Sequence, residues 1–368
     1  MLRHPNIHRS LFANRALFAT RSLLETRSLL ETRSLLETRS LLETRSLFAS
    51  FVYQAAIAAA ALVVAATAAT AQTTTLRIST FKGQPHMASS YMLSKVAPPN
   101  VKIDIVEVAT SSEAMDALLT GNIDAAYLGL VTAVLAVAQE RPVAVIAGVS
   151  FKGARIVARK GSGVEAIKDL KGKTVAVSKA GQTDMMFREL LERAGLQVGR
   201  DVEYLLLPTN AHLEALASGR IDVAATTEPH GSVMLAMGLG TDIAPDLYDT
   251  STGRVGIVLA VARSTIEKDP AKAQLIADLH AKATAWVKAH PDETAAELAK
   301  IIRQKDDVVK MAMKNTELSI DIDAAFRKQT ATLIDQLIRI KYLDRTVEAD
   351  KVFDLRFLDK ARAAAGAN

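Results

Sequence analysis

From residue 75 onward, apolar residues follow two alternating periods. "TLRIST" (75–80), "VKIDIVEVA" (101–109), "IDAAYLG" (123–129), "VAVIAGVS" (143–150) and "ARIVARK" (154–160) read as strands. Between them, "HMASSYMLSKV" (86–96), "SSEAMDALLTG" (111–121) and "VTAVLAVAQE" (131–140) carry helical spacing, the second opened by Ser and closed by Gly121. After "KGSG" (160–163) the pattern restarts. Strands are predicted at 173–179, 201–209 and 221–228. Helices are predicted in "VEAIKDLKG", at 183–195, in "AHLEALASG" and in "PHGSVMLAMG", the last with Pro229 at its start. Phe187, Leu190, Leu191 and Ala194 make one apolar face on the helix 183–195. "RVGIVLAVAR" (254–263) is another strand, and 264–368 is helical.

Alternating strands and helices place the chain in the α/β class and predict mostly parallel sheets covered on both faces. There are two such runs. "ALLTGNIDAA" (117–126) and "ALASGRIDVA" (215–224) agree at six of ten positions and fill the same slot in each run. The expectation is two similar lobes, with 72–158 plus 254–368 forming lobe 1 and 159–253 forming lobe 2. The chain would cross between them near 155–163 and again near 250–256, a two-strand hinge completed by C-terminal helices. Ligands of open α/β sheets sit at the carboxyl ends of the strands. Two facing lobes would place those ends across one cleft, with Asp124 and Asp222 at the far ends, organising turns.

The first 71 residues read differently. Residues 21–44 are four copies of "RSLLET", whose period of six builds no continuous helical stripe, so 1–44 is expected to be an extension outside the fold. Residues 45–71 have a basic flank at Arg45, an Ala-rich apolar run and Ala69-Thr70-Ala71 before Gln72, the pattern of a cleaved secretory signal. The rival reading, a membrane anchor, is disfavoured by the weak hydrophobicity of the run and the lack of a basic stop-transfer flank. Export through a cleaved signal fits the periplasm.

Composition narrows the chemistry. The chain has no Cys, which excludes disulfides, Cys-zinc sites and thiol nucleophiles. The net charge of +5 is concentrated in residues 1–71, which hold eight Arg and four Glu, so the body gives no broad electrostatic case for nucleic acid. The seven His show no zinc-ligand spacing, and neither a Gly-x-Ser-x-Gly elbow nor a Walker loop is present. No metal and no cofactor are expected.

The strand ends give the candidate site: "FKGQPH" (81–86), Ser111 and Ser112, Gly129, "SKAGQTD" (178–184) and "TTEPH" (226–230). Gly181-Gln182-Thr183 precedes a helix, where free N–H groups and the helix dipole favour an anion; ordinary N-capping is the plainer alternative. Glu228 ends a strand and would accept from a ligand amine or water, the alternative being a salt bridge to Arg or Lys. Few aromatics are expected in the cleft, Phe81 and Tyr127, which favours a compact oxyanion over a flat pyrimidine.

"LRIST", "EAMDALLTGNIDAAYLG", "IKDLKGKTVAVSKAGQTD", "ALASGRIDVAATTEP" and "DLRFLDKA" resemble the nitrate/sulfonate/taurine-type substrate-binding proteins of ABC importers, over about residues 75–360. The resemblance implies a two-lobed periplasmic-binding-protein fold of type II, a non-catalytic, monomeric receptor for a small anionic solute, and a permease and ATPase as partners. It carries the ligand loops onto Phe81, Gly83, Gln84, Ser111, Ser112, Gly129, Gly181, Gln182, Thr183, Asp184 and Glu228. Two departures stand out: "FKGQPH" replaces a loop that often reads G-Y-x-P, and Gln182 stands where Ser is common. Receptors for a thiamine-precursor pyrimidine, TRAP-type solute receptors and chorismate dehydratases share the general fold. Thiamine pyrimidine synthases of eukaryotic type carry a Cys-rich motif, absent here, and no helix-turn-helix marks a LysR-type regulator.

Overall fold

The computed structural model describes residues 73–366 apart from Lys82, Ala180, Arg254 and Val255; the repeat segment and the predicted signal lie outside the described residues. Among the described residues, eleven strands form two sheets. The first contains β1 (Thr74–Phe81), β2 (Val101–Val108), β3 (Ala125–Gly129), β4 (Val143–Lys152), β10 (Ile257–Ala262) and β11 (Thr316–Leu318), in the order β11-β4-β10-β3-β1-β2. The second contains β5 (Ala154–Arg159), β6 (Thr174–Val177), β7 (Glu203–Leu206), β8 (Val223–Thr227) and β9 (Gly240–Asp242), in the order β7-β6-β8-β5-β9. Around each sheet a separate apolar core is packed. The sheets define lobe 1 and lobe 2.

The sheets are mixed rather than mostly parallel. β1 pairs in parallel with β2 and β3, and β6 with β7 and β8. β10 and β5 run antiparallel to β3 and β8. The reason lies in the crossings. β5 carries the chain into lobe 2 and β10 returns it to lobe 1, so each passes its host sheet against the direction of the strands it joins. The first crossing occurs at Gly153, earlier than the 155–163 expected, because Ala154 already pairs with Thr227. Gly153 has φ +80°, a conformation that suits Gly. At the second crossing, a Cβ on Gly256 would lie 2.0 Å from the Ser150 carbonyl oxygen, so only Gly allows that approach.

The repeated Gly-x-Ile-Asp has the same function in both lobes. Asp124 Oδ2 accepts the Arg77 N–H of β1 at 2.8 Å, and Asp222 Oδ2 accepts the Thr174 N–H of β6 at 3.2 Å. Each carboxylate also holds a cation, Lys272 Nζ at 3.2 Å and Arg159 Nη2 at 3.1 Å. Asp124 therefore pins the middle of β1 and Asp222 the start of β6, each at its own strand's end away from the ligand loops. Asp124→Ala and Asp222→Ala are expected to cost about 1–3 kcal/mol each, by leaving a strand N–H without its acceptor. Urea unfolding measures this; solute affinity should not follow the loss.

The helices that matter for the site are α1 (Ser111–Leu119), α2 (Leu130–Ala138), α3 (Gln182–Arg193), α4 (His212–Ala217) and α5 (His230–Ala236). The C-terminal set is α6 (Pro270–Ala289), α7 (Pro291–Ile302), α8 (Asp306–Lys314), α9 (Ala324–Arg339) and α10 (Leu358–Gly366). Phe326, Leu333, Ile334 and Leu337 of α9 join the lobe 1 core, so the tail completes that lobe. Among the described residues no helix is long and apolar enough to cross a membrane.

Candidate functional site

The lobe 1 side of the site is built at the ends of β1, β2 and β3. Thr110, not Ser111, caps α1, accepting the Glu113 N–H at 3.1 Å. Ser111 is thereby freed to accept the Gly129 N–H at 3.0 Å, which ties the two strand-end loops together. Ser112 is exposed beside it. The loop after β1 is held by Tyr91, whose hydroxyl donates to Phe81 O at 2.9 Å and accepts from Gly83 N at 3.1 Å. This fixes Gly83 and half-buried Gln84 in position. Phe81 itself is buried in the lobe 1 core, and so is Tyr127.

These two rings therefore do not line the cleft as the sequence led us to expect. Phe81 and Tyr127 lie on inward-facing positions of β1 and β3. Tyr127 instead belongs to a buried chain. His280 Nε2 lies 2.7 Å from Gly148 O and must donate to it, which leaves Nδ1 to accept the Tyr127 hydroxyl at 2.8 Å.

On the lobe 2 side, α3 opens after Gly181 with no side-chain cap. The N–H groups of its first turn have no partner within the helix. Thr183 and Asp184 are buried there, and Gln182 Nε2 is buried without a hydrogen-bond acceptor. Thr226 and Thr227, at the end of β8, also bury hydroxyls that have no partner. Buried polar groups without partners are uncommon; these three lie at strand ends of lobe 2, and lobe 1 has its own at Ser79, His86 and Ser150. Asp184, by contrast, is engaged by Arg188 Nε at 2.7 Å. Burial opposes the Arg188 charge, but Asp184, Tyr204 and Tyr342 together outweigh it and the guanidinium pKa is raised.

Glu228 belongs to the hinge. Its carboxylate is fully buried and accepts Arg155 Nε at 2.6 Å, Asn315 Nδ2 at 2.9 Å and the Ser232 N–H of α5 at 2.9 Å. Its own N–H donates to Gly153 O at 2.8 Å. Asn315, from the lobe 1 tail, also donates to Ala154 O at 3.0 Å, and its carbonyl accepts the Gly153 N–H at 2.9 Å. Arg155 reaches on to Asp242 at 2.8 Å. The salt-bridge alternative for Glu228 is thus the arrangement observed: the group joins the first crossing, lobe 2 and the C-terminal tail.

Nothing local in the sequence marks Arg155 and Asn315, whose partners are remote in the chain. Nor is Tyr342, which follows α9, marked by any local pattern. Lys179 Nζ lies 5.6 Å from the centre of that ring and the Arg188 guanidinium 5.8 Å. Among the described residues, no group of three or more His, Asp or Glu is arranged to hold a metal ion.

Comparison with known proteins agrees with this architecture. The NMT1-like family profile matches residues 52–303. A Bacillus subtilis protein named for binding aliphatic sulfonates is 29% identical over 225 residues, 57% of this chain. The match covers 63% of that relative, so the chain spans less than two thirds of its length. An Escherichia coli protein named for the same binding is 29% identical over 230 residues, 61% of this chain and 70% of the relative. Among solved structures, the Escherichia coli periplasmic aliphatic sulphonate-binding protein has a TM-score of 0.64 at 22% identity, over 76% of this chain and 92% of its own. The Xanthomonas axonopodis alkanesulfonate-binding protein bound to MOPS has 0.66 at 21%, over 78% and 100%. The Synechocystis periplasmic nitrate-binding protein has 0.64 at 14%, over 81% and 90%. At these identities the solved structures establish the shared two-lobed fold.

Proposed function

Because the chain belongs to the NMT1-like family, we propose that it is a periplasmic solute receptor of an ABC importer, taking a small anion with aliphatic sulfonates foremost. In this reading residues 45–71 direct export, and the loaded receptor delivers its solute to a membrane permease driven by an ATPase. The observation that carries it is the uncapped start of α3 beside the partnerless Gln182 amide. A sulfonate brings three acceptor oxygens and one negative charge to N–H donors that have no other use, and the helix dipole adds to the attraction. Ser111 and Gly129 would approach the same solute from lobe 1. The ligand then favours the closed arrangement by bridging both lobes.

The lobe 2 residues divide into two groups in this scheme. Gln182 and Thr183 supply backbone donors, and the Gln182 amide a further one; Gly181, whose N–H donates to Ser178 O at 3.3 Å, lets the chain approach the solute closely. Asp184 and Glu228 orient Arg188 and Arg155 instead of meeting the solute. Solved structures of a desulfurization enzyme share the fold, with a TM-score of 0.58 for one of them, so the case for a receptor rests on the site and not on the fold.

A thermal-shift panel of ethanesulfonate, taurine, nitrate and a thiamine-precursor pyrimidine tests the reading. At a hundredfold excess over Kd, a true solute adds about 2.7 kcal/mol of stability, a melting shift of several degrees. Ethanesulfonate or taurine is expected to give the largest shift. A response to the pyrimidine alone would overturn the substrate class. Conversion of ethanesulfonate to a product would overturn the receptor role.

A further inference from the structure

The two lobes meet at more than the hinge. On α3, Met186, Phe187, Leu190 and Leu191 pack into the lobe 2 core. Met185, Arg188, Glu189 and Glu192, at spacings of three and four, share another face. That face is turned to lobe 1. Met185 is buried within the lobe 1 core cluster. Gln336 Nε2 on α9 donates to Glu189 Oε2 at 3.3 Å, and Arg339 Nη1 pairs with Glu192 Oε1 at 3.0 Å. Tyr342 packs on the lobe 1 core while its ring meets both Lys179 and Arg188. Arg188 in turn lies 5.0 Å from the Tyr204 ring of lobe 2 and holds Asp184 in the first turn of α3.

We infer that Tyr342 is a positioning residue for solute retention, holding α3, and with it the donor loop 181–183, against lobe 1 when the lobes are closed. The inference rests on the reading of that loop as part of the solute site. Two cations from lobe 2 meet one aromatic ring carried by lobe 1. One of them, Lys179, precedes the uncapped helix start, and the other, Arg188, is fixed to its first turn. Opening the lobes separates both cations from the ring. The contact therefore favours closure without touching the solute, and it acts chiefly on the rate at which bound solute leaves.

The absence of native Cys makes the test clean. Spin labels at Lys102→Cys in lobe 1 and Lys171→Cys in lobe 2, both exposed positions, report the distance between lobes. Tyr342→Ala is expected to shift the ligand-free distances toward the open form and to speed ethanesulfonate release about tenfold, with association little changed. Tyr342→Phe keeps the aromatic face and should stay within about threefold of the native rate. Arg339→Glu, at an exposed position, should also speed release, by about threefold, through repulsion of Glu192. Native distances and a native release rate in Tyr342→Ala would overturn the inference. If the native protein ignores ethanesulfonate, the solute reading fails, and the ligand-free distances alone decide whether Tyr342 holds the lobes.

Discussion

Glu228→Ala is expected to lower the stability of the folded protein by roughly 3–5 kcal/mol, the usual loss when one partner of a buried ion pair is removed. Three acceptor contacts disappear together: those from Arg155, Asn315 and the Ser232 N–H. Arg155 keeps Asp242, at 2.8 Å, but loses the carboxylate at 2.6 Å. Burial already works against its charge, and Glu228 and Asp242 together restore it, raising the guanidinium pKa. Glu228→Gln should be milder, since it preserves volume and one acceptor oxygen. Urea midpoints at neutral pH read the effect. A native midpoint in Glu228→Ala would sink the clamp. A native midpoint with lost solute binding would return Glu228 to the ligand site.

The second large effect is on acid stability. His86, His212 and His280 are buried, and desolvation is the main cause that lowers each ring to a pKa of about 4. His86 is further disfavoured by His230, whose own pKa burial lowers. In the unfolded chain these rings titrate near pH 6.5. Between pH 6.5 and 4 the unfolded state binds protons that the folded state refuses, so stability falls as the pH drops through that window. Three such rings give a slope of up to about 4 kcal/mol per pH unit. Above about pH 7.5 they contribute almost no slope. Urea unfolding at a series of pH values should show this dependence, and His86→Gln should flatten it by about a third. A flat profile from pH 6.5 to 5 would mean that the rings protonate freely in the folded protein.

Much of the fold was legible because burial imposes periodicity. The βα alternation, the Gly that ends each repeat helix and the duplicated Asp all mark local geometry, and they occur where the structure has them. The three-residue strands β9 and β11 are too short to carry a pattern. The position of β10 between β3 and β4 depends on pairing across more than a hundred residues. The site was legible as loops, not as contacts. Ser111 and Gly181 sit at strand ends, and the topology alone predicts that. Glu228 was placed correctly at the end of β8, but its partners, Arg155 and Asn315, come from a crossing strand and from the distant tail. The face of α3 that meets lobe 1 escaped for a related reason. Met185, Arg188, Glu189 and Glu192 form a mostly charged stripe, which in sequence resembles any solvated helix surface.

The interleaved strand order has a bearing on how the chain acquires its structure. All five strands of the lobe 2 sheet lie between residues 154 and 242, so that sheet can assemble from one uninterrupted stretch. Lobe 1 has no such freedom. Its β10 fills the gap between β3 and β4, and it follows the whole of lobe 2 in the chain. As the polypeptide emerges from N to C terminus, the first lobe to begin is therefore the last to close. Its β3 and β4 wait with open edges until residues 257–262 arrive.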